Sequence, residues 1–251
     1  MPIRPRLVLA LALAVLPVVA HAVAPEELAD LEAKAQYAFL AEDGNMLQGL
    51  ASESRALAAS EQPLELYHYA HVRFRQLQLA TFAGLKREAV EAGEDCVAAL
   101  DRATARQADF AEAIALQASC HGYLASLSAV TGLPSMARAS ARIGAAARLD
   151  PRGPRVLLAE ATSLYFRPPA LGGDRQRAVQ LLERATAAFE PLDAPHSGEP
   201  TWGAAEAWFL LGRAREEAGD VLAARDAYEK ALLAAPHFVR AKRRLAVLTG
   251  R

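Results

Sequence analysis

The chain has 251 residues, 53% hydrophobic, 23% charged and 6% aromatic, enough length to bury a substantial core in one domain or one repeat array. Its 28 basic and 29 acidic side chains give a formal net charge of -1, which sets aside a general nucleic-acid binder, since neutralising phosphates needs a basic surplus. Two cysteines exclude a disulfide-dense scaffold and a four-thiolate zinc site, and an apolar share carried by alanine and leucine, with only three isoleucines, favours helix over sheet.

Residues 1–22 have the three parts of a secretory signal. Arg4 and Arg6 form a positive start, Leu7 to Ala20 is almost unbroken apolar sequence, and Ala20-His21-Ala22 places small residues at both cleavage-reading positions. The apolar run is shorter than the roughly 20 residues that span a bilayer, and Pro17 also favours cleavage over a retained anchor. Cleavage removes two of the 28 basic side chains and none of the 29 acidic ones, so the mature chain is mildly acidic. No second hydrophobic span follows, and the expected address is the periplasm or beyond.

From Pro25 onward the apolar residues keep helical spacing, broken by short turn signals. Pro25, followed by Glu26 and Glu27, opens a helix that the Asp43-Gly44 pair should end. A second helix is expected from Asn45 to Ser60, a third opens at Pro63, and a fourth follows the Ala83-Gly84 break. Further starts fall near Phe110, Pro134, Pro154, Asp174, Ala204, Asp220 and Phe238. Three segments result: 1–22 as signal, 23–62 as an N-terminal helical pair, and 63–251 as an array of helix pairs with a capping helix.

Within that array the last pair carries a fixed pattern. Trp208, Leu211, Gly212, Ala224, Tyr228, Ala231 and Pro236 fall at set intervals. Trp208 and Leu211 share one face of the first helix, Gly212 and Ala224 are small where the helices cross, Tyr228 and Ala231 continue the seam, and Pro236 stops the second helix. The pattern resembles the tetratricopeptide repeat (TPR), with Arg215 where that family usually has tyrosine. Weaker copies follow Ala161, Ala178 and Ala185; Ala118, Ala139 and Ala146; and Ala70, Ala92 and Ala99. The second copy implies a first helix longer by about two turns. The resemblance implies an all-α fold, antiparallel helix pairs stacked as a TPR-like solenoid, with an extra N-terminal pair and Phe238 to Leu248 as cap. Residues 168–174, Pro-Pro-Ala-Leu-Gly-Gly-Asp, are similar to a loop of exported repeat proteins that serve tripartite periplasmic transporters.

Chemistry-bearing residues are sparse. Cys96 and Cys120 lie on consecutive helices whose turn is expected at Gln107-Ala108-Asp109, midway between them. The thiols are therefore level across an antiparallel pair, and either form a disulfide adding roughly 3 kcal/mol or sit unbridged in the core. His68 and His71 share a helix face but lack a reliable third ligand, so an ordinary helix surface is the better reading than a metal site. No nucleophile elbow, zinc-protease helix or phosphate-binding loop is present, and neither an enzyme nor a cofactor is expected. Gly172-Gly173-Asp174 reads as a sharp turn with a helix cap.

The TPR resemblance also implies where a partner docks. Its concave-face positions map onto Tyr67, His71 and Phe74; Glu112 and Ser119; Arg155, Leu158, Thr162 and Tyr165; and Phe209, Arg213 and Glu216, the alternative being that several of them, Tyr67 and Phe74 first, pack under the long helices or the N-terminal pair. The expectation is an exported, non-catalytic scaffold that binds a peptide or protein on this face. Its rival is an accessory component of a periplasmic solute transporter that binds a small ligand or forms an oligomer.

Overall fold

The computed structural model describes residues 22–128, 132–190 and 198–250, and the expected signal falls almost wholly outside them. Among the described residues there are eleven α-helices and no strand: α1 (Pro25–Leu40), α2 (Gly44–Glu53), α3 (Pro63–Phe82), α4 (Lys86–Arg106), α5 (Ala111–Leu127), α6 (Gly132–Leu149), α7 (Pro154–Phe166), α8 (Arg175–Ala188), α9 (Ala204–Glu217), α10 (Val221–Ala234) and α11 (Val239–Thr249). Short 3-10 turns cover Ser54–Ala59 and Pro169–Leu171, so the helix expected to reach Ser60 tightens after Glu53.

Local chemistry sets the boundaries. Pro25, Pro63 and Pro154 occupy first-turn positions, where a missing N–H costs nothing. The Asp43, Asp174 and Asp220 carboxylates cap α2, α8 and α10, accepting from the backbone N–H of Met46 (2.9 Å), Arg177 (2.9 Å) and Ala223 (3.0 Å). Gly84 and Gly219 leave α3 and α9 with positive φ, the left-handed exit that glycine adopts without penalty.

The pairs α3/α4, α5/α6, α7/α8 and α9/α10 stack in sequence, and α11 packs on α10 as the cap. Every small residue assigned to a crossing is buried, from Ala70, Ala92 and Ala99 in the first pair to Gly212, Ala224 and Ala231 in the last. A Cβ on Gly212 would lie 2.7 Å from the Tyr228 ring, which shows why that position carries none. The lengthening of the second pair is shared, about one turn on α5 and one on α6, rather than two turns on α5 alone. Cys96 of α4 and Cys120 of α5 are joined in a disulfide with Sγ atoms 2.02 Å and Cα atoms 6.5 Å apart.

The N-terminal helices do not stand apart from the array. One buried cluster joins Ala35, Ala38, Phe39 and Leu40 of α1 and Leu47, Leu50 and Ala51 of α2 to Val72 of α3, Ala205 of α9, Ala231 of α10, Phe238, and Ala241 of α11. Helix α1 therefore touches both the first and the last repeat, and the solenoid curls around it. Polar contacts fix its position: Glu32 accepts from the Thr201 backbone N–H (2.7 Å) and hydroxyl (2.8 Å).

Candidate functional site

The inner face of the solenoid is built from the first helix of each pair, α3, α5, α7 and α9. Its middle is filled by α1 and by the chain entering α9. Arg75 of α3, 1% exposed, lies at the centre. Its guanidinium donates to His71 Nε2 (3.0 Å), Gln78 Oε1 (2.7 Å), Gln36 Oε1 of α1 and Glu206 Oε1 of α9 (2.5 Å). The rings of Phe39 and Trp202 flank it at 4.6 and 4.7 Å.

This filling corrects the expectation that the concave-face positions present themselves to a partner. Tyr67, His71, Phe74, Leu158 and Tyr165 are all buried. The Trp202 indole N–H donates to the Tyr67 hydroxyl (2.8 Å), His71 stacks on Trp202 at 5.3 Å, and Phe74 meets Tyr123 edge-on at 5.8 Å. Arg155 pairs with Glu112 (2.6 Å) and donates to the Trp202 carbonyl (3.0 Å). The Ser119 and Thr162 hydroxyls bond back to the carbonyls of Ala115 (3.1 Å) and Leu158 (2.7 Å) within their own helices. The histidines have partners too: Nε2 of His68 donates to the Gly198 carbonyl (2.8 Å), while Nε2 of His71 takes the Arg75 bond. Among the described residues no group of three or more His, Cys, Asp or Glu is placed to hold a metal ion.

Burial sets the electrostatics of this interior. It holds the His71 pKa well below the ordinary imidazole value, with Arg75 adding to the effect, and it lowers that of His68. It also raises the Tyr67 phenol and the Glu112 carboxyl, the latter against the pull of Arg155.

An open part of the described surface lies at the C-terminal end. Phe209 and Arg213 of α9 line a cavity of about 260 Å³ together with Arg240, Arg243 and Arg244 of α11. Those three arginines stand at i, i+3 and i+4, one face of the capping helix. Arg243 pairs with Glu42 (2.8 Å), Arg244 with Glu216 (2.7 Å) and Arg213 with Glu217 (3.3 Å). Arg240 has no carboxylate partner among the described residues and stacks on Phe82 at 3.8 Å, with Phe209 at 5.7 Å. A neighbouring cavity of about 210 Å³ shares Arg213 and is walled by Tyr165, Phe166, Pro168, Pro169 and Arg175.

Of the positions expected on the groove, Phe209, Arg213 and Glu216 thus stand at this mouth, partly exposed. Arg240, Arg243 and Arg244 were not among the expected site residues. The signal that finds them is the basic run of α11, which has four cations and no acid between Val239 and Thr249.

No protein-family profile matches the chain, and no curated protein sequence matches it. Solved structures do. The HusA haemophore of Porphyromonas gingivalis superposes with a TM-score of 0.61 at 21% identity, covering 77% of this chain and 91% of that one. A thermophilic TPR protein of Thermus thermophilus superposes with a TM-score of 0.54 at 20% identity, covering 91% and 100%. The chain is an all-α, TPR-like helical-repeat protein. At this level of identity the likeness speaks for the fold. No described helix is long and apolar enough to cross a membrane.

Proposed function

We propose that this chain is an exported, non-catalytic TPR-like scaffold that holds a peptide or protein partner at the C-terminal end of its inner face. The observation that carries this reading is the division of that face. Its middle is occupied by α1 and Trp202, while Phe209 and Arg213 remain accessible beside a cavity of about 260 Å³. A partly exposed aromatic ring next to arginines gives contact area and directional hydrogen bonds on a rigid support, so little ordering entropy is lost on association. The export address of residues 1–22 makes the periplasm the compartment in which to look.

The test is capture from a periplasmic extract on the mature protein and on a folded Phe209→Ala/Arg213→Ala variant. Amide exchange then follows on the captured pair. A partner held by the first and lost by the second, with new protection in α9 and α11, supports the reading. Equal retention by both removes the site from this mouth.

A second reading, an accessory of a periplasmic solute transporter that holds a small ligand, draws on a different feature. The Pro168-to-Asp174 loop supplies one wall of the 210 Å³ cavity, and the structurally similar HusA is a haemophore. Titration with haem and with small carboxylates, read by absorbance and calorimetry, separates it from the first. Saturable binding lost in Tyr165→Ala would favour the small ligand.

A further inference from the structure

We propose that the Arg240 pocket, formed by the capping helix against α9, is a carboxylate-recognition site for an acidic segment of the partner. The inference rests on the scaffold reading above and names the chemistry that the scaffold selects.

The first argument is the charge that the fold leaves uncompensated. Arg167, Arg175, Arg213, Arg240, Arg243 and Arg244 line the two neighbouring cavities, with Arg213 common to both. Their carboxylate partners there are Glu42, Glu216 and Glu217. The excess is positive on a chain whose formal net charge is -1, so it is a local feature. It centres on Arg240, which makes no ion pair and no hydrogen bond among the described residues, although Glu42, Arg243 and Arg213 are within electrostatic reach. Glu42 is already engaged by Arg243. A half-buried guanidinium with like charges on two sides gains from an incoming anion more than an ordinary surface arginine does, because its surroundings screen less than water.

Geometry supplies the second argument. The Arg240 Cζ lies 3.8 Å over the Phe82 ring, a contact that restrains the guanidinium while its N–H edge makes no hydrogen bond among the described residues. That edge matches the two oxygens of a carboxylate. A cavity of about 260 Å³ has room for a carboxylate and its methylenes. Because Arg213 lines both cavities, a chain with spaced acidic residues meets Arg240 in one and Arg175 in the other. That adjacency favours an extended acidic peptide over a single small anion.

The experiment uses fluorescence anisotropy with the full mature protein and two dye-labelled probes, a short Glu-rich peptide and its Gln-for-Glu counterpart. The proteins are wild type, Arg240→Gln, and Lys242→Gln, an exposed cation of α11 that does not line the pocket. Citrate is offered separately, with thermal shift as the readout, and circular dichroism checks that each variant folds. The proposal expects the Glu peptide to bind at least about tenfold more tightly than the Gln peptide. It also expects that preference to weaken with added salt, to vanish in Arg240→Gln and to persist in Lys242→Gln. Equal binding of both peptides, unchanged by Arg240→Gln, overturns acid recognition and leaves the scaffold reading standing. Citrate stabilisation that depends on Arg240, with neither peptide bound, overturns the peptide assignment in favour of a small anion. No binding of any probe, with a captured partner still held by Arg240→Gln, overturns the pocket alone. No probe and no captured partner overturns both readings.

Discussion

Replacing Arg75 with methionine tests whether the solenoid is locked around its N-terminal helix. The side chain is 1% exposed and joins three helices through one guanidinium, bonding Gln36 of α1, His71 and Gln78 of α3, and Glu206 of α9. Methionine replaces the apolar stem but not the guanidinium that lies between Phe39 and Trp202, so the loss is mainly polar. Hydrogen bonds of an ionised group contribute about 1.5–3 kcal/mol when taken singly but do not add within one network, and removing one partner of a buried pair costs about 3–5 kcal/mol. We therefore expect Arg75→Met to lower the unfolding free energy by about 3–5 kcal/mol, a large part of the roughly 5–15 typical of a domain. Arg75→Met/Glu206→Gln should return about 1–2 kcal/mol by removing the stranded carboxylate. Urea unfolding at neutral pH measures both, and amide exchange of α1 reports whether the helix has loosened. A loss below about 1 kcal/mol, with α1 as protected as in wild type, would refute the claim that Arg75 holds the closure.

Other substitutions probe separate parts of the structure. Gly212→Leu places a branched side chain where even a Cβ lies 2.7 Å from Tyr228, and is expected to cost about 3 kcal/mol despite the better helix propensity of leucine; an unchanged melting temperature refutes the assigned crossing. Cys96→Ser, which opens the bridge to Cys120, is expected to lower stability by roughly 3 kcal/mol under oxidising conditions and much less in reductant, as calorimetry with and without dithiothreitol would show. The protein should also weaken in mild acid. His71 is held neutral in the fold by burial and by Arg75, whereas unfolded chains take up its proton near pH 6.5. The unfolded state then binds more protons, so this contribution is fully present above about pH 6.5 and is lost as pH falls below it, at up to about 1.4 kcal/mol per unit. Urea midpoints between about pH 7.5 and 5.5 measure the slope, and a His71→Gln variant with an equally steep slope would exclude His71 as its source.

Much of the architecture was legible because it depends on short-range rules. Small residues recurring at crossing positions, proline at helix starts and aspartate caps act within one helix pair, so Gly212, Ala224, Pro154 and Asp174 announce their roles locally. The site was less legible. Helix α3 reads as polar, with His68, His71, Arg75 and Gln78, yet all four side chains are buried. They are tolerated inside because partners distant in sequence meet them: Glu206 with Arg75, and Gly198 with His68. The positions carried over from the repeat family were assigned to the inner face, and no local pattern shows how much of that face the chain fills itself.

What the sequence determined by itself is the repeating helix pair, since hydrophobic period, capping and residue size act between neighbours. What only the tertiary structure decided is which part of the inner face stays open. That depends on α1 reaching from α3 to α11 and on contacts such as Glu32 with Thr201, separated by 169 residues. No local pattern encodes that closure. It exists because the first and last repeats meet at the same helix, while Arg240, Arg243 and Arg244 of α11 line a cavity beside it with Phe209 and Arg213.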